Sequence, residues 1–196
     1  MSKGDQTRER ILAEAIGLSS VDGITGLTLG RLAETVGMSK SGLFAHFRSK
    51  EDLQVQVLTA AVERFEARVV RPGVAAPRGE ARVRALFERW IAWSDDDAIP
   101  GGCLFTQASA ELDDQPGPPR DYLAQTQRDW RAFLAGAVRL AIDVGDFRPD
   151  VDPDLFAFQM LGIALSRHQA KRLIRDPDVE TKTQRAFDAL VAAARA

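Results

Sequence analysis

The stretch that decides the fold is TLGRLAETVGMSKSGLFAHF, which runs from Thr28 to Phe47. Its first apolar residues recur three or four positions apart, which predicts a short helix over residues 29–36. Thr28 is placed to accept a hydrogen bond from the first turn of this helix as its N-cap. Gly37 follows the helix and can adopt the positive φ of a helix-ending turn. The stretch therefore opens with one short helix that has a defined start and a defined end.

A second short helix is predicted to follow, from the N-cap Ser39 to about His46. Two short helices joined by a turn of three to four residues that contains glycine form the helix-turn-helix layout. In that motif the second helix enters the major groove of DNA and the first helix crosses the DNA backbone. A Ser-Lys-Ser-Gly turn by itself is usually a solvated helix cap. The complete pattern favours contact with DNA.

The rest of the chain also has helical periodicity. One predicted helix, over residues 9–21, precedes the motif, and the later ones cover about 50–70, 80–94, 103–112, 120–144, 154–174 and 179–194. Proline and glycine separate these helices, for example at Arg71-Pro72-Gly73. No segment alternates apolar and polar residues in the manner of a strand. We predict an all-α protein of about nine helices.

The composition excludes several classes of protein. With 45% hydrophobic and 28% charged residues in 196, the chain is typical of a folded protein. No apolar run approaches the roughly 18 residues of a membrane helix, and the polar N-terminus lacks a signal-peptide core. One cysteine and two histidines, without a nucleotide-binding or hydrolase motif, argue against a metal site, a cofactor or an enzyme. We expect a cytoplasmic protein with no membrane partner.

The motif T-L-x-x-L-A-x-x-V-G-M-S-K-S-G-L-F-x-H-F-x-S-K-E-D-L, from Thr28 to Leu53, resembles the TetR family of one-component transcriptional regulators. This resemblance implies a three-helix helix-turn-helix head over residues 1–50. A long helix is implied to join the head to a ligand-binding and dimerisation body over residues 51–196. The resemblance further implies a homodimer that binds double-stranded operator DNA as a repressor. A small apolar or amphipathic effector of unknown identity is implied to release it.

The resemblance assigns DNA contacts to residues of the head. Thr28 is implied to cap the first short helix and to offer a hydrogen bond to phosphate. Ser39, Lys40 and Ser41 begin the recognition helix, where base edges and phosphates come within reach. Further contacts are implied for Gly42, Leu43, Phe44, His46 and Lys50. The family usually has Tyr at the position of Phe44, so we expect the phosphate contact of that hydroxyl to be lost here.

Aromatic residues are frequent in the body, and we expect most of them to be core. The resemblance raises the alternative that some of them line an apolar ligand pocket. The candidate lining residues are Phe65, Phe87, Trp90, Trp93, Phe105, Trp130 and Phe133. Cys103 opens an apolar helix, where a small buried hydrophobe is the expected role and a redox or electrophile sensor is the alternative.

The resemblance implies that the last two helices pair with those of a second copy in a four-helix bundle. The candidate interface residues are Leu155, Phe158, Leu161, Leu165, Phe187 and Leu190. A two-fold dimer would set its two recognition helices about one DNA turn apart, roughly 34–36 Å. The basic run from Arg167 to Arg175 is expected to form a solvated rim.

Two other functions remain open from the sequence alone. One is a helix-turn-helix adaptor that binds DNA or protein without a small ligand. The other is an enzyme with a helical pocket, although the chain lacks a recognisable nucleophile–base pattern. Release of DNA by a small molecule would distinguish the regulator from the adaptor.

Overall fold

The structure, a computed structural model, describes residues 3–196. Its first three helices are α1 (Lys3–Asp22), α2 (Leu29–Val36) and α3 (Lys40–Phe44). The later helices are α4 (Lys50–Phe65), α5 (Arg71–Val74), α6 (Glu80–Trp93), α7 (Leu104–Leu112), α8 (Pro118–Asp143), α9 (Pro153–Gln169) and α10 (Val179–Ala194). Two π-helical turns, Glu66–Val70 and Ala170–Ile174, extend α4 and α9. We refer to α1–α3 as the head and to α3 as the recognition helix.

The all-α prediction is confirmed. Over residues 3–196 the chain forms no β-strand, and an isolated bridge joins Phe147 to Arg195. If the single turn of α5 is counted as the end of α4, the described helices number nine, as predicted.

The predicted helix break at Arg71-Pro72-Gly73 is wrong, because the helix continues through it. After α4 the backbone widens into the π-helical turn Glu66–Val70, and the N–H of Arg71 donates to the carbonyl of Glu66. Pro72 lies at the start of α5, directly after this π-helical turn. The wider turn accommodates a proline that would otherwise clash with the preceding helical turn.

The chain forms two compact units, each built from two segments. Unit 1 contains the residues up to Arg64 together with Asp95–Thr126, and unit 2 contains Phe65–Ser94 together with Gln127–Ala196. The predicted boundary at residue 50, between a DNA-binding part and a ligand-binding part, does not coincide with a boundary between these units. That functional division stays a prediction.

Unit 1 has part of its core among the three helices of the head. Ile11, Leu32 and Leu43, one from each helix, are completely buried. The turn before α7 holds the end of α1, since the N–H of Gly101 donates to Ser20 Oγ at 3.0 Å. A Cβ at Gly101 would overlap the carbonyl oxygen of Ser20, so only glycine allows this close approach. This hydrogen bond connects the segment of residues 95–126 to α1 of the head.

Unit 2 joins α6, α9 and α10. The ring of Phe87 stacks on that of Phe187, with centroids 3.8 Å apart. Between α9 and α10, Arg167 donates to both carboxylate oxygens of Glu180, at 3.0 Å from Nε and 2.7 Å from Nη2. The side chain of Arg167 is only 2% exposed, so the expected solvated rim is wrong at this residue. A buried guanidinium is tolerated there because it is paired with a carboxylate.

A second ionic network fixes the C-terminus of the chain to the start of α6. The carboxylate of Glu80 accepts hydrogen bonds from Nε and Nη2 of Arg195, both at 2.7 Å. Arg84 Nε adds a third, also at 2.7 Å. The hydrogen bonds from Arg195 are the largest cause that lowers the pKa of Glu80, which falls from 4.5 to about 2 against the opposing effect of burial.

We expect the stability contributed by Glu80 to be present at neutral pH and to be lost in acid. Above pH 4.5 both the folded and the unfolded chain carry the anion. As the pH falls from 4.5 towards 2, the unfolded chain takes up the proton first, which favours unfolding. The difference in unfolding free energy between wild type and Glu80→Gln should therefore be about 1 kcal/mol smaller at pH 3.5 than at pH 6.5. Urea titration measures both values, and equal differences at the two pH values would contradict this role of Glu80.

Candidate nucleic-acid interface

The first helix of the motif begins and ends at the predicted residues. Thr28 Oγ1 accepts a hydrogen bond from the N–H of Arg31 at 3.2 Å, which confirms Thr28 as the N-cap of α2. Gly37 ends the helix at φ 69° and donates its N–H towards the carbonyls of Ala33 and Glu34. This left-handed residue turns the chain towards the recognition helix.

The recognition helix is capped by Ser39, also as predicted. Ser39 Oγ accepts a hydrogen bond from the N–H of Gly42 at 3.1 Å and lies 3.1 Å from Ser41 Oγ. Leu43 follows on the inner face and is completely buried. The predicted DNA contact from Leu43 is therefore wrong, because this side chain packs inside the head and supports the recognition helix from beneath.

The outer face of the head presents polar, cationic and apolar groups together. The side chains of Thr28, Ser39, Lys40 and Ser41 are exposed. Lys40 lies across the first turn of α2, since a Cβ at Gly30 would be 3.5 Å from its ammonium nitrogen. Unpaired backbone N–H groups and a partial positive charge mark the start of any helix. The ammonium group of Lys40 therefore adds a full charge at a place already suited to phosphate.

Two rings follow on the recognition helix and just after it. Phe44 is 56% exposed. It has no hydroxyl, so it can offer DNA only an apolar contact. His46 is half-buried, and its ring centroid lies 6.3 Å from that of Phe47.

Two side-chain hydrogen bonds cap the start of α4. Ser49 Oγ accepts a hydrogen bond from the N–H of Asp52 at 3.1 Å. The carboxylate of Asp52 accepts in return from the N–H of Arg48, at 2.8 Å, rather than from that of Ser49. This backbone hydrogen bond is the first cause that lowers the pKa of Asp52, and one from Gln56 is the second. Arg48, which the sequence reasoning did not single out, adds another exposed cation to the head.

Lys50 has a partner within the protein. Its Nζ donates to the carbonyl oxygen of Thr25 at 2.6 Å, although the side chain remains exposed. This contact ties the start of α4 to the loop between α1 and α2. The role of Lys50 as a phosphate contact stays a prediction, and its structural role is to hold this loop.

Sequence reasoning missed the residues that hold the same loop from other helices. The carboxylate of Glu111, in α7, accepts hydrogen bonds from the N–H of Ile24 at 3.2 Å and from that of Thr25 at 2.8 Å. It also accepts from Thr25 Oγ1 at 2.6 Å. Gln54, in α4 and buried, donates its Nε2 to the carbonyl of Ile24 at 2.9 Å. Glu111 is 86 residues from Thr25, so no local pattern indicated the pairing.

Five of the seven predicted pocket residues meet in unit 2, and we call them the aromatic cluster: Phe65, Trp90, Trp93, Trp130 and Phe133. Phe65 makes edge-to-face contacts with Trp93 and Trp130, with centroids 5.7 and 4.9 Å apart. Trp130 also lies edge-on to Trp90 at 5.6 Å and stacks on Phe133 at 5.7 Å. The cluster draws its rings from α4, α6 and α8.

The two other predicted pocket residues are Phe87 and Phe105. Phe87 is stacked on Phe187 and also lines an open groove of about 590 Å³ between α6 and α10. Phe105 belongs to unit 1, where it is buried in the first turn of α7. Cys103 caps the same helix and is 3% exposed, a position consistent with a small buried hydrophobe.

The predicted dimer residues divide into an exposed set and a buried one. Leu155, Phe158 and Leu165 are 53%, 62% and 51% exposed on α9, and Leu161 and Leu190 are half-buried. Phe187 is completely buried against Phe87, so its assignment to a dimer interface is wrong. Periodicity placed it on an apolar face of α10, but α6 of the same chain covers that face.

The head and its exposed cationic recognition helix define a helix-turn-helix DNA-binding protein. Within residues 3–196, no group of metal-ligating side chains is close enough together to hold an ion. No helix in that range is long and apolar enough to cross a membrane.

Comparison with known families agrees with this class. The model described as "Bacterial regulatory proteins, tetR family" matches residues 11–57. The model described as "Tetracyclin repressor-like, C-terminal domain" matches residues 79–187, more than half of the chain. The chain belongs to the TetR family of transcriptional regulators, as its motif predicted. Members of this family are regulators rather than enzymes, which excludes the enzyme alternative.

Individual relatives extend the similarity over almost the whole chain. The chain is 28% identical to the HTH-type transcriptional regulator TcmR of Streptomyces glaucescens over 183 residues, 89% of this chain and 77% of that protein. A TetR regulator from Chloroflexus aurantiacus superposes with a TM-score of 0.86 at 25% identity, covering 98% of this chain and 96% of the other. AibR, solved in complex with isovaleryl coenzyme A and operator DNA, superposes with a TM-score of 0.73 at 25% identity, covering 96% and 98%.

Proposed function

We propose that the chain is a homodimeric repressor that leaves its operator when a small apolar or amphipathic molecule binds the body. The observation that carries the proposal is the outer face of the head, where exposed Lys40 and Ser41 adjoin the start of α2. The proposed contacts are those predicted from the sequence, without Leu43. The role as a repressor is supported by the match of the body to a tetracycline-repressor-like domain.

The dimer is proposed to form through α9 and α10. Leu155, Phe158 and Leu165 present three large apolar side chains on one helix, each more than half exposed. Burial of such side chains against a second copy removes apolar surface from water. A two-fold arrangement lets the same face serve both protomers. Leu161 and Leu190, half-buried in one chain, are proposed to complete the interface.

The effector is proposed to bind at the aromatic cluster. AibR, crystallised in complex with isovaleryl coenzyme A and operator DNA, supports the proposal that a regulator of this fold binds both a small ligand and DNA. Helix α4 runs from the DNA-binding head to the proposed effector site. It begins at Lys50, which contacts the α1–α2 loop, and ends at Phe65 of the aromatic cluster. A ligand lowers operator affinity only if it favours a conformation that binds DNA less well. We propose a shift of α4 as the change that the effector selects.

The adaptor alternative, without a small ligand, keeps the same DNA contacts and the same dimer. It predicts that no effector changes operator affinity. The DNA-binding experiment below does not separate the two functions, whereas operator release by a compound does.

The test of DNA binding starts with an operator selected from a pool of random duplexes. We expect Lys40→Ala to reduce the slope of log K against log salt by about two per dimer, one for each cation removed. Ser41→Ala should instead change which bases are preferred at one position of each half-site. Arg89→Ala, which removes an exposed cation from α6, is the matched control and should leave slope and preference unchanged. A Lys40→Ala protein with the wild-type slope would remove Lys40 from the interface.

A further inference from the structure

Two indole groups of the aromatic cluster have unusual surroundings. Trp93 and Trp130 are 4% and 9% exposed. The Nε1 atoms of both are buried, and within residues 3–196 neither has a hydrogen-bond partner. An indole N–H is a donor only, and a buried one usually finds an acceptor. Two such donors in one cluster therefore require an explanation.

The two donors belong to the same set of rings. Both tryptophans contact Phe65 edge-on, with centroid distances of 5.7 and 4.9 Å. Trp130 also stacks on Phe133, which is 37% exposed, so the cluster reaches the protein surface. Aromatic side chains pair with a further planar ring in offset-stacked or edge-to-face geometry, so the chemistry of this cluster suits a planar aromatic ligand.

We propose that Trp93 and Trp130 donate hydrogen bonds to a carbonyl oxygen of the effector, which defines it as a planar, uncharged aromatic ketone or quinone. A carbonyl oxygen supplies the acceptor that the two indoles lack. The two indole donors need an acceptor, which an ammonium cation lacks, and the apolar rings disfavour a carboxylate anion without a compensating charge. This inference rests on the proposed function, because it takes the aromatic cluster as the effector site.

The experiment compares two probes that differ by one oxygen. These are 9-fluorenone, a planar ketone, and fluorene, which has the same ring frame without the carbonyl. Equilibrium dialysis against the full-length chain gives both affinities. We expect fluorenone to bind about tenfold more tightly than fluorene, since only its oxygen satisfies the buried donors. Binding of neither probe, or equal binding of both, would overturn the proposal.

Three tryptophan variants test which donors are responsible. Trp93→Phe and Trp130→Phe keep an aromatic ring but remove the N–H. We expect each to lower the preference for fluorenone by about threefold or more, and the double variant to abolish it. Trp90→Phe is the matched control, because its Nε1 is not among the buried unpartnered atoms, and it should keep the preference. Single variants that retain the full preference would show that the donors face neighbouring rings rather than a ligand.

A spectroscopic readout on the wild-type chain covers the case in which a variant folds poorly. The chain has three tryptophans, so its indole ¹⁵N–¹H signals are assigned by the three single variants. Fluorenone, but not fluorene, should move the signals of Trp93 and Trp130 downfield, as a new hydrogen bond requires. Unmoved signals at saturation would overturn the proposal.

Operator binding separates this inference from the proposed function. Fluorenone could bind with the expected preference and leave the operator affinity unchanged. This result would support an aromatic ketone or quinone as the ligand and refute the proposal that ligand binding controls DNA binding. The opposite result is also possible: a compound without a carbonyl releases the operator, and fluorenone and fluorene bind equally well. This result would support the proposed ligand-responsive regulator and refute the aromatic ketone or quinone as its effector.

Discussion

Phe158→Glu is expected to make the protein monomeric and to weaken its binding to a two-half-site operator by at least about 100-fold. In the proposed dimer this side chain, 62% exposed in the single chain, becomes buried against the second copy. The substitution then buries a carboxylate in each protomer without a partner, which is costly. Each recognition helix would afterwards bind its half-site alone, without the gain from the second contact.

The measurement is sedimentation velocity together with operator titration. Leu165→Glu, on the same face of α9, should have the same effect. Val144→Glu is the matched control, since Val144 is also an exposed apolar residue at 50% but follows α8 rather than lying on α9. It should remain dimeric and bind the operator normally. A stable dimer carrying both Phe158→Glu and Leu165→Glu would place the interface elsewhere.

The parts of the head that sequence analysis predicted are those with short-range causes. Thr28 and Ser39 each accept a hydrogen bond from an N–H three residues later, and Gly37 needs only its own freedom of φ. Such contacts are fixed by a few consecutive residues, so a pattern of residue types is enough to locate them. The match to a known motif added the role of these residues, which spacing alone does not provide.

The contacts that were not predicted from the sequence depend on which distant helix packs against a given helix face. Phe187 was assigned to a dimer interface, yet Phe87 of α6 covers its ring. Arg167 was assigned to a solvated rim, yet Glu180 pairs with it in a buried position. Helical periodicity identifies an apolar face but not its neighbour, because the neighbour comes from elsewhere in the chain. The contact between Glu111 and the α1–α2 loop was missed for the same reason.

Glu111→Ala is expected to destabilise unit 1 by roughly 2–4 kcal/mol and to weaken operator binding at least about tenfold. The carboxylate of Glu111 accepts hydrogen bonds from the N–H of Ile24, the N–H of Thr25 and the hydroxyl of Thr25. Ile24 is completely buried, so its N–H cannot turn to water without opening the loop. Removal of the carboxylate therefore leaves these donors unsatisfied.

The effect on DNA follows from the position of this loop, which leads directly to Thr28 and α2. Lys50 and Gln54 donate to its carbonyl groups rather than accept from its N–H groups, so loss of Glu111 removes the hydrogen bonds that hold the N–H groups of Ile24 and Thr25. Urea unfolding gives the stability, and operator titration at a temperature where circular dichroism shows a folded variant gives the affinity. Glu111→Gln keeps one acceptor oxygen and should lie between wild type and Glu111→Ala. Asp114→Ala removes the same charge from an exposed residue just after α7 and should change neither value. If Glu111→Ala matched Asp114→Ala in both measurements, the loop would be held without Glu111, and α7 would have no part in positioning the head.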